Sequence, residues 1–239
     1  MKFLLIGFFA LLISCDQSFP NSGNPLVVLT FDDNNCTIYN TAYPLIQEFG
    51  FVGTCVTCSG RCDQPGYITW QQLSELSNAG WEIAGHTVNH VILNSITPEE
   101  AEMEIYNDLL ALRAQGFEPV TFALPKGKVS ADILEIIPHY YRYIRHSLDT
   151  INFFPVDVKA IGYYPMQSFY SENEVITRLQ LATWRGECLI VIGFHNFCME
   201  DGCMPDNCKP SEFREILQYI KDQNLEVVTL AQALERCGN

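Results

Sequence analysis

Positive charge is scarce in this chain. Of 239 residues only 14 are Lys or Arg, against 28 Asp or Glu, a formal net charge of −14. A basic stripe able to neutralise phosphates is missing, which argues against a nucleic-acid partner. The acidic residues are spread along the chain and form no tail. Long apolar runs are missing too. The N-terminal run Phe3 to Ile13 falls short of the roughly 20 residues needed to cross a bilayer. No internal repeat and no low-complexity linker separates parts of the chain, so one large domain is expected. What is present is core material. The sequence is 48% hydrophobic, with Phe 15 and Tyr 11, which excludes intrinsic disorder.

The first fourteen residues, with Lys2 before the apolar run and small Ser14 after it, read as a signal peptide. Leu12-Ile13-Ser14-Cys15 is similar to a bacterial lipobox, so an exported chain attached to a membrane through lipid at Cys15 is expected. Residues 15–25 read as a short polar tether, and 26–236 as the folded domain, expected to be a monomer. There are 10 cysteines. Export makes disulfides plausible, above all in the loop of Cys198, Cys203 and Cys208, closed together or to the group of Cys36, Cys55, Cys58 and Cys62. A thiolate zinc or iron–sulfur site is the rival reading of either cluster. Cys55 and Cys188 lie in apolar strand-like runs and read as buried free thiols.

Strand-like and helix-like segments alternate. Strands are expected at 26–31, 51–57, 81–85, 120–124, 141–144, 157–161, 188–194 and 226–228. Helices are expected at 42–49, 69–78, 97–116, 130–137, 171–184, 210–222 and 231–236. Thr69 with Gln72 forms a capping box. Thr97-Pro98-Glu99-Glu100 combines a cap, an N1 proline and an acidic first turn. This alternation implies a parallel sheet, open or closed into a barrel.

Three strands end in ionisable residues: Asp32-Asp33, His86 and His195. The C-terminal strand ends of a parallel sheet or barrel gather on one side, where such folds place their sites. Asp32 and Asp33, being consecutive, point in different directions. His86 and His90 are four apart, a spacing that stacks two imidazoles on one helical face. With one carboxylate they make a two-His, one-carboxylate metal site, for which zinc is the first expectation and cobalt, nickel or iron are suitable.

In these residues the chain resembles the polysaccharide deacetylases, carbohydrate esterases built on the NodB homology domain. Thr30-Phe31-Asp32-Asp33 matches the first family motif and His86-Thr87-Val88-Asn89-His90 the second. Phe122-Ala123-Leu124-Pro125-Lys126-Gly127 matches a variant of the third, and Val191-Ile192-Gly193-Phe194-His195 fits the fifth. Leu73 to Gly85 and Thr229-Leu230 share the likeness, which runs from about Leu26 to Leu234. The resemblance implies a distorted (β/α) barrel and a metal-dependent deacetylase of an N-acetylated cell-surface or extracellular glycan. It implies Asp32 as general base, Asp33, His86 and His90 as metal ligands, the Lys126 backbone N–H at the oxyanion, and His195 as general acid.

Two family features are missing from the expected places. Ala123 stands where the better-known branch carries an arginine that steadies the base. The fourth motif has only Asp149 and Asp157 as weak candidates. A non-catalytic carbohydrate-binding protein and a zinc hydrolase of another C–N or ester bond are the alternatives. Tyr163, Tyr164, Phe169 and Tyr170 are candidates for a groove wall.

Overall fold

A computed structural model describes residues 23–147, 150–166, 171–198 and 207–238. Seven parallel strands form one curled sheet in the order β5-β4-β3-β2-β1-β7-β6. They are β1 (Leu26–Phe31), β2 (Thr54–Thr57), β3 (Glu82–Gly85), β4 (Thr121–Ala123), β5 (Tyr143–Arg145), β6 (Tyr164–Pro165) and β7 (Leu189–Phe194). Between and after them run α1 (Tyr43–Phe49), α2 (Trp70–Asn78), α3 (Pro98–Ala114), α4 (Ala131–Leu134), α5 (Glu172–Arg185), α6 (Pro210–Asp222) and α7 (Leu230–Cys237). A small second ladder pairs β8 (Asn196–Phe197) with β9 (Asn207–Cys208). This is the half-barrel with outer helices that the NodB-type resemblance implies.

The central strands are buried on both faces. All six residues of β1 and all six of β7 are buried. That explains why they read as continuous apolar runs rather than alternating ones. Their in-register pairing, Leu26 opposite Leu189 through Phe31 opposite Phe194, brings their C-terminal ends level. Residue parity then sorts the side chains. Val27, Leu29 and Phe31 face the helical layer, with Leu73, Leu179, Phe213 and Ile216. Leu26 and Val28 face inward, with Tyr143, Tyr163, Leu189, Val191, Leu230 and Leu234. Phe31, Phe194, Phe197 and Phe213 form one aromatic cluster, the Phe194–Phe213 centroids 4.8 Å apart at 71°. It fixes the ends of β1 and β7 to each other and to α6.

Helix starts follow the sequence closely. The capping boxes at Thr69 and Thr97 both form, as does one at Thr229. Two expected strands are corrected. Residues 157–161 make a turn, in which Asp157 Oδ1 accepts the Lys159 N–H, and only Ile161 makes an isolated bridge, to Arg145. Residues 226–228 contribute one isolated bridge, Val27 to Val227. The sheet edge beyond β7 is formed by the short β6 instead.

Residues 1–22, with the expected signal peptide and Cys15, lie outside the described residues, as do Asp149, Phe169, Tyr170 and Cys203. Cys36, Cys55, Cys58, Cys62 and Cys208 carry free thiols. The expected link from the 198–208 loop to the 36/55/58/62 group is therefore not made. Cys198 is disulfide-bonded.

Candidate active site

Parity carries four inward-facing positions up to the open end of the half-barrel. Asp32 follows Thr30 and Val28 on β1, His86 follows Ala84 on β3, Arg145 follows Tyr143 on β5, and His195 follows Gly193 on β7. Small interior residues, Val56, Ala84 and Ala123, leave room beneath them. Asp32, His86, His90, Lys126, Tyr163 and His195 line a common cavity of about 220 Å³, together with Leu124, Ser147 and Pro165.

The backbone departs from regular structure here. Asp33, Thr87, His90 and Lys126 adopt φ of 71°, 68°, 57° and 54°. Left-handed conformations are rare for non-glycine residues, most of all for β-branched Thr87, and cluster at functional sites. Sequence spacing placed His86 and His90 on one helical face. In the structure residues 86–90 form no helix. The turn through Thr87 instead brings the two rings together, centroids 4.8 Å apart.

Asp33 Oδ1 lies 3.4 Å from His86 Nε2 and 3.1 Å from His90 Nε2. One donor atom from each of the three residues fits within 4.8 Å of the others. His86 Nδ1 lies 2.7 Å from the Ala123 carbonyl oxygen, which can only accept, so Nδ1 carries the proton. Nε2 is then the ring nitrogen turned toward Asp33 Oδ1, a carboxylate oxygen that has no hydrogen-bond partner of its own. Burial and the neighbouring His86 hold His90 down to about 4, so its ring is neutral at pH 7. Arg61 Nη1 also approaches Asp33 Oδ1, at 3.7 Å, while the two imidazole Nε2 atoms meet the same oxygen from His86 and His90. The three residues fit a divalent ion, and the Nδ1–carbonyl bond is the orienting contact that metal-bound imidazoles use. Burial opposes ionisation of Asp33, yet its contact with His86 and the other histidines around it outweighs burial and keeps the carboxyl well below the usual range.

Asp32 is only 4% exposed. Its Oδ2 accepts a 2.6 Å hydrogen bond from Arg145, a fully buried residue. Tyr163 OH donates to the same oxygen at 3.5 Å, and His195 Nε2 is 4.0 Å away. Oδ1 has no partner and is free for a further donor. The Arg145 guanidinium lies over the Tyr163 ring, 4.1 Å from its centroid. Burial and the Asp32 charge push the Tyr163 phenol up, so it remains a donor. This packing requires Gly193, because a Cβ there would lie inside the Tyr163 ring.

Arg145 is the residue that sequence reasoning missed. An arginine was expected only at position 123, where the chain has Ala. The structure supplies the guanidinium from the adjacent strand, two residues beyond Tyr143 on the inward face. The available signal was a fourth strand ending in a charge, obscured by closing that strand at Ile144. Asp108 was also missed. Fully buried on α3, its carboxylate accepts the backbone N–H of Ser59 at 2.9 Å and of His86 at 3.1 Å. A side chain at Gly85 would displace it.

Lys126 sits on the cavity rim. Of the groove candidates, Tyr163 lines the cavity and Tyr164 packs against the helical layer. Asp157 is exposed and bonded only within its own turn, away from the site.

The profile of polysaccharide deacetylases matches residues 20–140. The chain belongs to that family. YxkH from Bacillus subtilis (strain 168), provisionally named a polysaccharide deacetylase, is 30% identical over 79 residues, 33% of this chain and 28% of that protein. The chain therefore aligns with less than a third of that relative's length. The fold is shared with the peptidoglycan deacetylase PdaC of B. subtilis, at TM-score 0.62 and 17% identity over 89% of this chain and 91% of that one. It is also shared with a family 4 acetyl xylan esterase from Clostridium thermocellum solved with a cobalt ion, at TM-score 0.63 and 17% identity over 88% and 91%. Among the described residues the Asp33, His86 and His90 group is the one cluster able to hold a metal.

Proposed function

We propose that this polysaccharide deacetylase removes N-acetyl groups from an extracellular or cell-surface glycan, with a divalent metal held by Asp33, His86 and His90. The observation that carries the reading is the pair of imidazole nitrogens converging on Asp33 Oδ1, flanked by Asp32 and His195 across one cavity. Zinc suits the donor set best, and cobalt, nickel or iron can replace it. A metal there supplies Lewis-acid polarisation of the acetyl carbonyl.

The protein's own groups do the proton work. Asp32, its Oδ2 engaged by Arg145, presents free Oδ1 to an attacking water and takes its proton. The water oxygen bonds to the acetyl carbon, and the resulting oxyanion accepts the Lys126 backbone N–H. His195, as imidazolium, gives its proton to the sugar nitrogen as the C–N bond breaks. The products are acetate and a free amino sugar. An alcohol leaving group would be expelled by the same residues, which makes acetyl ester hydrolysis the neighbouring activity.

A non-catalytic role on this fold was motivated by the eroded third and fourth motifs. Arg145 answers the first of these, because its guanidinium engages Asp32 from β5, the strand next to that of Ala123; the fourth motif still has no counterpart among the described residues. The apolar N-terminal segment and Cys15 support export with lipid attachment.

Acetate release from N-acetylglucosamine oligomers, peptidoglycan fragments and acetylated xylan tests the reading. Release from the N-acetylated substrates is expected. Release from acetylated xylan alone would make the enzyme an esterase, and release from none would return it to a binding role.

A further inference from the structure

At the opposite end of the sheet from the active site, two buried thiols meet. Cys188 immediately precedes β7 and Cys237 ends α7, and each is 2% exposed. The Cys237 thiol lies 3.6 Å from the Cys188 carbonyl oxygen, across 49 residues of sequence. The Cys188 thiol lies 3.3 Å from the Asn152 carbonyl oxygen. Cys237 also lines a cavity of about 310 Å³ with Asn24, Leu26, Asn224, Glu226 and Arg236. The site thus brings two cysteines together beside a cavity that one of them lines.

We propose that Cys188 and Cys237 are a redox-active dithiol that closes to an intramolecular disulfide by exchange with a glutathione-type small disulfide entering this cavity. The two thiols are unlike. Contact with Cys188 and the charge of Arg236, itself paired with Glu226, lower Cys237 despite its burial. The same contact, with burial, raises Cys188. Cys237 lines the cavity and Cys188 does not, so Cys237 is the attacking thiol and Cys188 the resolving thiol. By contrast Cys55, wholly buried beside the Thr57 hydroxyl, is pushed up to about 12.

The step balances. The Cys237 thiolate attacks one sulfur of the donor disulfide, forming a mixed disulfide and releasing one thiolate. Cys188 then attacks the Cys237 sulfur, its proton passing to the second departing thiolate. The protein dithiol loses two electrons and the donor becomes two thiols. The bond formed ties α7 to β7. That helix closes the inward core with Leu230 and Leu234. Its last residue accepts the Val156 N–H through the Cys237 carbonyl.

The test treats the reduced full-length chain with oxidised glutathione, alkylates it, and maps its peptides by mass spectrometry. A peptide joining Cys188 to Cys237 is expected, with a Tm rise of about 5–15 °C from closing a loop of this length. Cys188→Ser should stop at a glutathione adduct on Cys237, and Cys237→Ser should give no adduct at Cys188. Cys→Ala versions serve if a serine variant does not fold. Absence of the joined peptide from the wild type, or of the adduct in the Cys188 variants, overturns the proposal. Neither readout depends on deacetylase turnover.

Discussion

Both ends of the sheet bury ionisable groups, but they satisfy them differently. At the N-terminal end Glu82, half-buried, accepts from Thr54 Oγ1, Thr121 Oγ1 and the Ala231 N–H. Arg178 and Glu187 pair through two hydrogen bonds of 2.9 Å. At the C-terminal end Asp32 Oδ1, Asp33 Oδ1, His195 Nδ1 and two nitrogens of Arg145 are buried with no hydrogen-bond partner. An unpaired buried polar atom costs about 1–3 kcal/mol. A fold accepts that cost repeatedly in one place only if something else completes the set. At the base Trp81 Nε1 and Tyr143 OH are also buried without a partner, but the unpartnered atoms of charged residues all lie at the mouth, as suits a site completed by a ligand, a water and a cation.

Substitutions at the two ends should therefore separate activity from stability. The largest effect is expected for Asp32→Asn. kcat/KM should fall at least about 10²-fold, as for loss of a positioned base, while bound metal stays near wild type. Unchanged turnover would remove Asp32 from the chemistry. Arg145→Met should lower kcat by about 10–10²-fold with metal content unchanged, because the base loses the cation that orients it. Wild-type kcat in that variant would reduce Arg145 to a structural residue.

At the base, Glu82→Gln should leave kcat/KM within about twofold and lower Tm by several degrees. It replaces an acceptor facing three donors with a group that itself donates, at a cost of about 1–3 kcal/mol. A large loss of turnover there would break the division between the two ends. The smallest effect concerns Asp108. Burial pushes its carboxyl up to about 6 from 3.8. The folded state then binds its proton more tightly than the unfolded state. This group's contribution to stability is greatest below pH 3.8 and is lost as pH rises through 6. Wild type should thus gain on Asp108→Asn in thermal melts as pH falls from 7 to 4.5, and a constant gap would contradict the assignment.

Much of this was legible in the sequence because it depends on local rules. Caps at Thr69 and Thr97, the buried runs of β1 and β7, and the ionisable residues at their ends need only neighbouring residues to be read. Asp32, Asp33, His86, His90 and His195 were identifiable for that reason, and they line or border one site. The rest depends on tertiary placement. Arg145 acts on Asp32 across 113 residues, and Asp108 reaches the His86 amide from a helix whose composition gives no hint of it. The geometry joining His86 to His90 was also beyond spacing rules, since left-handed backbone at Thr87 takes the place of a helical turn. The edge of the sheet was misread where β-like residues at 157–161 form a turn and the two-residue β6 carries too little pattern to detect.

The central claim is that Asp33, His86 and His90 form a metal site independent of the base. Metal content per chain after dialysis, measured by atomic emission on wild type, Asp32→Asn and His86→Ala, tests it most directly. The structure predicts about one equivalent in the first two proteins and little in the third. Equal metal in all three, or none in a wild type that still releases acetate, would contradict it.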